Sequence, residues 1–119
     1  MSKRRAMLLL TYNLGEHVNQ EEYEQWLRDV DNPFFNSVPG IKRYANWKVL
    51  DEKLGTVQFT HYDLLEIDDL DAWEKVWGNE ELQKFAQGWT QRWSVHGPDE
   101  KYAGLNYQVM LCEEIAAPD

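Results

Sequence analysis

An α+β fold is predicted by three observations on this 119-residue chain. Four stretches carry the alternating or short apolar patterns of strands, two of them side by side in the middle and one near each end. Between them lie segments whose large apolar residues recur at i, i+3, i+4 and i+7, the stripe of an amphipathic helix. No repeat and no low-complexity segment divides the chain, so residues 1–119 read as one domain with its core at about 5–115.

Residues 5–13 hold the run Met7-Leu8-Leu9-Leu10 and suit a buried first strand. Lys3, Arg4 and Arg5 ahead of that run resemble a signal peptide only superficially. The run is too short, and Thr11-Tyr12-Asn13 follows where small residues belong. Asn19 then stands as a helix N-cap, with Glu21 and Glu22 in the first turn. Tyr23, Trp26, Leu27 and Val30 form the stripe of that helix, which Pro33 is expected to end. Residues 31–40 read as a loop or short irregular helix closing on Pro39-Gly40. Strand two spans Ile41 to Leu50, a polar connection runs from Asp51 to Gly55, and strand three spans Thr56 to Ile67. Asp68 and Asp69 cap a second helical segment, interrupted at Gly78-Asn79, whose continuation carries Leu82, Phe85, Ala86, Trp89 and Trp93 on one stripe. Ser94 to Tyr102 reads as a loop and Gly104 to Ile115 as strand four.

The order is thus β-α-β-β-α-β, the ferredoxin-like arrangement of a four-stranded antiparallel sheet with helices on one face. The other face must then be polar or be covered. Here it is half apolar, which predicts that two copies pair sheet to sheet as a homodimer.

Charge and composition exclude several functions. Twelve Lys and Arg against 21 Asp and Glu, a net charge of −9, disfavour nucleic acid and acidic membranes as partners. No stretch approaches the roughly 20 apolar residues of a spanning helix, and a cytoplasmic protein is expected. Cys112 is the single cysteine, which rules out an internal disulfide. His17, His61 and His96 lack metal-ligand spacing, and there is no phosphate-binding glycine loop, so neither metal nor cofactor is expected. The unusual feature is the load of six Trp, six Tyr and four Phe.

Strand three carries the candidate chemistry. Its odd positions, Val57, Phe59, His61, Asp63, Leu65 and Ile67, share one face, so an imidazole and a carboxylate sit next to each other in an apolar row. Such a pair can serve as an acid–base unit, or simply as a satisfied core pair. Glu66 lies on the opposite face, where it is an interface carboxylate or a solvated strand end. Asp31, two residues before Pro33, is by itself an ordinary helix-end residue. Trp26, Trp89 and Trp93 are spaced as core residues, yet several indoles beside a His–Asp pair would also wall a pocket for a planar molecule.

The stretch Tyr62-Asp63-Leu64-Leu65-Glu66-Ile67-Asp68-Asp69-Leu70-Asp71-Ala72-Trp73 resembles the RedY-like (HapK-like) proteins of natural-product pathways. So do Asp31-x-Pro33 with Pro39-Gly40-Ile41, and the closing Glu113-Glu114-Ile115. More broadly, the chain resembles the dimeric α+β barrel superfamily that includes EthD-like proteins. The resemblance implies homodimers with a pocket between sheet and helices. It also implies cofactor-free cyclisation or condensation on pyrrole, indole or carbazole intermediates. EthD-like proteins often place a His two residues before the proline, where this chain has Asp31.

The leading expectation is a cofactor-independent enzyme acting on a reactive aromatic or polyene-like intermediate. His61 would be the general acid and base, oriented by Asp63 or Asp31, with Glu66 a further candidate; Tyr12 and Asn13 would bind a substrate heteroatom. The alternatives are a cofactor-free monooxygenase or isomerase of the same fold, and a non-catalytic carrier of a pathway intermediate.

Overall fold

Four strands pair in the order β2-β3-β1-β4, with every neighbouring pair antiparallel. They are β1 (Ala6–Tyr12), β2 (Ile41–Lys48), β3 (His61–Ile67) and β4 (Gln108–Glu113). The computed structural model describes residues 4–93 and 107–118. Between β1 and β2 come α1 (Gln20–Trp26) and α2 (Asn32–Ser37); between β3 and β4 come α3 (Trp73–Trp77) and α4 (Glu80–Trp93). Each connection joins two parallel strands and leaves room for one between them, so β3 lies between β1 and β2 while β1 lies between β3 and β4. This is the predicted ferredoxin-like α+β topology.

Alternation sorts each strand into two faces. Leu8, Leu10, Leu65 and Ile67 point to the helices, where they pack with Phe35, Val38, Val76 and Leu82. A second cluster joins Tyr12 to Tyr23, Leu27, Trp89 and Trp93. On the opposite face the register sets Met7 beside Glu66 and Cys112, and Leu9 beside Leu64 and Met110. Trp47 stacks on Tyr62 across the same face, their rings 6.2 Å apart and 7° from parallel. Among the described residues no helix is long and apolar enough to cross a membrane.

Three predicted boundaries are corrected. Pro33 does not end the first helix, because a π turn at Leu27–Asp31 widens the path ahead of it. The wider turn accommodates a residue that lacks an N–H and crowds the preceding carbonyls, and α2 continues through Ser37. Strand three starts at His61 rather than Thr56. Upstream, the Gln58 carbonyl is taken by the Asn13 side-chain amide at 2.9 Å instead of by a neighbouring strand. Strand two stops at Lys48, before the predicted Leu50, which is exposed. Residues 94–106, with His96, the predicted loop and the start of strand four, lie outside the described residues.

The turn into β2 depends on Gly40, whose φ is +93°. A Cβ placed there would lie 2.6 Å from Val76 Cγ2, so the strand enters directly beneath α3. Gly55 also has a positive φ, +74°, but nothing stands within 4 Å of a Cβ there. Replacing Gly55 by Ala should therefore cost about 1 kcal/mol, the backbone penalty alone. Gly40→Ala should cost roughly 2–3 kcal/mol, read from urea midpoints, because it adds the collision. Equal losses at the two sites would refute this account of the turn.

Candidate active site

Two irregularities bring polar side chains into the interior. In the π turn the Asn32 N–H donates to the Leu27 carbonyl, five residues back, so one extra residue is fitted into the turn. The phase of the helix slips: Val30, predicted on the buried stripe, is 42% exposed, and Asp31 is 2% exposed. In β2 a bulge falls between Ile41 and Arg43. It carries the inward face from Ile41 to the even-numbered Tyr44 and Asn46. Asp63 reaches the same place from β3 by simple alternation and is 6% exposed.

Asp31 and Asp63 meet through one phenol and one amide. The Tyr44 hydroxyl donates to Asp31 Oδ2 at 2.7 Å, and its oxygen is 3.1 Å from Asp63 Oδ2. Asn46 Nδ2 donates to Asp31 Oδ2 at 3.0 Å and to Asp63 Oδ1 at 2.9 Å. A phenol has a single proton, so a hydroxyl committed to Asp31 can bond Asp63 only by accepting from its protonated carboxyl. The electrostatics agree. Burial raises the Asp31 pKa to about 6, held back by the bonds from Tyr44 and Asn46. Burial and then the charge of Asp31 raise Asp63 to about 8. At neutral pH the pair holds one charge and one proton, in the order Asp63 O–H to Tyr44 O–H to Asp31 carboxylate. Burial also keeps Tyr12, Tyr23 and Tyr44 well above the usual phenol range and therefore neutral.

Further hydrogen bonds surround the pair on both sides. Asn36 Nδ2 donates to Asn32 Oδ1, and Asn32 Nδ2 donates to Asn46 Oδ1, each at 3.0 Å. With its oxygen so occupied, Asn46 must turn its N–H groups toward the carboxylates. On the other side Trp89 Nε1 donates to Tyr23 Oη at 2.8 Å, and the Tyr23 and Tyr12 hydroxyls are 2.8 Å apart. Tyr12 Oη lies 3.5 Å from Asp63 Oδ1.

His61 is placed differently from the sequence expectation. It shares the face with Asp63, but neither carboxylate orients it: its Nδ1 is 2.8 Å from Thr60 Oγ1. The ring stacks on Tyr12 at 5.6 Å, and burial lowers its pKa, which leaves it neutral. Its Nε2 is buried with no hydrogen-bond partner among the described residues. Glu66 lies on the opposite face, in register with Met7 and Arg43, away from the cluster. Asn13 holds Gln58. Trp89 is joined to the cluster through Tyr23, while Trp26 and Trp93 pack behind it, their rings 5.5 Å apart and tilted by 50°. Tyr44, Asn46 and Tyr23 are members of the site that sequence reasoning did not single out. The available signal was Asn32 and Asn36 at helical spacing.

Two spaces border the cluster. A small cavity of about 40 Å³ lies between sheet and helices, against Asp31, Asp63, Tyr44 and Trp89. It has room for a water molecule but not for an aromatic ring system. An open groove of about 730 Å³ runs over the β2 edge, where Tyr44, Asn46, Trp47 and His61 form part of its wall. That volume is in the range of small-molecule sites. Tyr44 borders both. Among the described residues no group of three or more His, Cys, Asp or Glu side chains is placed to hold a metal ion.

A family model described as REDY-like protein HapK matches residues 6–99 of the chain. No functionally curated protein matches it by sequence. Among solved structures, HapK from Hahella chejuensis superposes with a TM-score of 0.66 at 11% identity, over 96% of each chain. An EthD family protein from Bacillus halodurans gives a TM-score of 0.68 at 15% identity, over 93% of this chain and 99% of that one. A dimeric ferredoxin-like protein of unknown function from Thermobifida fusca gives 0.60 at 12% identity, over 94% and 92%. At these identities the likeness shows a shared fold.

The raised carboxyl pKa values have a consequence for stability. Both groups bind protons more tightly when folded than at the ordinary value of 3.8, so the folded chain holds more protons than the unfolded one between about pH 4 and about pH 8. Their contribution is complete at low pH and is lost as pH rises through the folded values. The melting temperature should fall between about pH 5 and about pH 8, and Asp63→Asn should flatten most of that fall. Thermal melts across this range decide it: an equal slope in both proteins would refute the protonation assignment.

Proposed function

The chain belongs to the REDY-like HapK family, and on that premise we propose that it is a small acid–base enzyme acting on a reactive aromatic intermediate of natural-product biosynthesis. The proposed substrate class is an indole-, pyrrole- or carbazole-type molecule with a carbonyl or imine beside an acidic carbon. The reaction class is cyclisation, condensation, or addition and removal of water. The observation that carries the reading is the buried carboxyl pair sharing the Tyr44 hydroxyl. A base and an acid with separated pKa values, held in one low-dielectric site, are what proton transfer near neutral pH requires.

In this reading substrate lies in the groove with its heteroatom toward Asn46, Tyr44 and the neutral His61. Tyr44, which borders both the groove and the carboxyl pair, takes the proton from the acidic carbon as it passes its own to the ionised Asp31. Once protonated, Asp31 no longer needs the Tyr44 hydrogen bond, so the phenol turns its proton to the developing oxyanion and is refilled by Asp63. The substrate loses one proton from carbon and gains one on oxygen, and the single negative charge passes from Asp31 to Asp63. Protonation at a new position, or loss of water, returns it. All of these steps use side chains of the chain itself. We further propose that the open sheet face, with Met7, Leu9, Leu64 and Met110, pairs two copies. The Thermobifida fusca neighbour, described as dimeric, supports that arrangement.

Exchange with heavy water tests the chemistry without knowledge of the natural substrate. With 3-acetylindole or 2-acetylpyrrole, the protein should speed deuterium entry into the acetyl methyl group, followed by NMR. The rate should be bell-shaped in pH, with limbs near about 6 and about 8. Asp31→Asn should lower it by roughly 10²-fold or more. Binding of both probes without any exchange would replace the enzyme by a carrier.

A further inference from the structure

We infer that the groove over β2 selects aromatic ligands that carry an anionic group, a substrate class that rests on the proposed function of the same site. The chain as a whole is strongly acidic, with 21 Asp and Glu against 12 Lys and Arg. The groove inverts that balance: Arg28, Arg43 and Lys48 line it against one acid, Glu24. Glu24 is already engaged by Lys48 at 3.0 Å and by Arg28 at 3.5 Å. Arg43 makes no ion pair among the described residues. His61, neutral through burial, adds no charge. Counted on its lining alone, the groove carries three cations against one carboxylate.

The rest of the wall is neutral. Asn32, Asn36 and Asn46 present amides whose bonds to one another and to the carboxyl pair are already set. Trp47, 48% exposed on the edge strand, stacks one flat side on Tyr62 and lines the groove. A concave surface with a cationic rim concentrates anions, and a guanidinium can take a carboxylate through two parallel hydrogen bonds. An acidic substituent held at Arg28 and Arg43 would orient the ring along Trp47 and direct its other end to Asn46.

The test compares indole-3-acetate with indole-3-acetamide, which share ring and size and differ in charge. Isothermal titration at low ionic strength should give the acid roughly tenfold tighter binding, a preference that shrinks with added salt. In the double variant Arg28→Gln with Arg43→Gln, the two should bind within about twofold, with the amide's affinity unchanged. Both side chains are exposed, and an unchanged circular dichroism spectrum checks that the variant folds. Equal affinities in the natural protein, no binding of either probe, or a preference that survives the double variant would overturn the inference. Deuterium exchange into 3-acetylindole, which is uncharged, separates this from the catalytic reading. Exchange without an acid preference overturns only the anion selectivity, and a preference without exchange overturns only the chemistry.

Discussion

Two carboxyl groups share one negative charge inside this domain, and much of its irregular geometry follows from that arrangement. Burying a carboxylate without compensation is costly, and burying two side by side is costlier still. Retaining one proton removes half of the charge; the Tyr44 hydroxyl and the Asn46 amide bind what remains. Two departures from ideal secondary structure and a chain of side-chain amides serve this point. The π turn brings in Asp31, the bulge brings in Tyr44, and the asparagine chain fixes the direction of Asn46. π turns and bulges often mark functional sites, because a regular element would place an apolar side chain at the same position.

The regular part of the fold was legible in the sequence. Alternation in strand three assigned His61, Asp63, Leu65 and Ile67 to one face, and all four are buried. Asn19 caps α1 as its position predicts, its side chain accepting from the Glu22 N–H. The site was legible only in part, because its members depend on slips of phase. Helical periodicity assigned Val30 to the interior and left Asp31 as a helix end; one inserted residue exchanges them. Tyr44 and Asn46 could be seen to share a face, but which face depended on a bulge that no local residue announces. The expected His61–Asp63 unit failed for a third reason. Residues two apart in a strand project side by side without meeting, and each here finds a different partner.

The aromatic load resolves into two uses. Tyr12, Tyr23 and Trp89, packed with Trp93, bring their polar tips together, so that phenol and indole groups supply hydrogen bonds where aliphatic side chains would supply none. Beside Trp89 the cavity against the carboxyl pair measures about 40 Å³. The roomier approach to the carboxyl pair is over β2, where Trp47 and Tyr44 contribute. The expected pocket within the core is thus displaced to its edge.

Asn36 carries a meaning beyond the site. β2 is an edge strand, and at Tyr44 its outward backbone groups are both taken by this one side chain: the Tyr44 N–H donates to Asn36 Oδ1 at 2.9 Å, and Asn36 Nδ2 donates to the Tyr44 carbonyl at 3.0 Å. An amide side chain has the same donor and acceptor as a peptide group, so it occupies the place where a foreign strand would begin to pair. A sheet whose edge is closed in this way resists growing sideways into fibrils, and association is directed to its faces instead. Loss of Asn36 would therefore loosen the support of the carboxyl pair and, in the same stroke, unblock a template for aggregation.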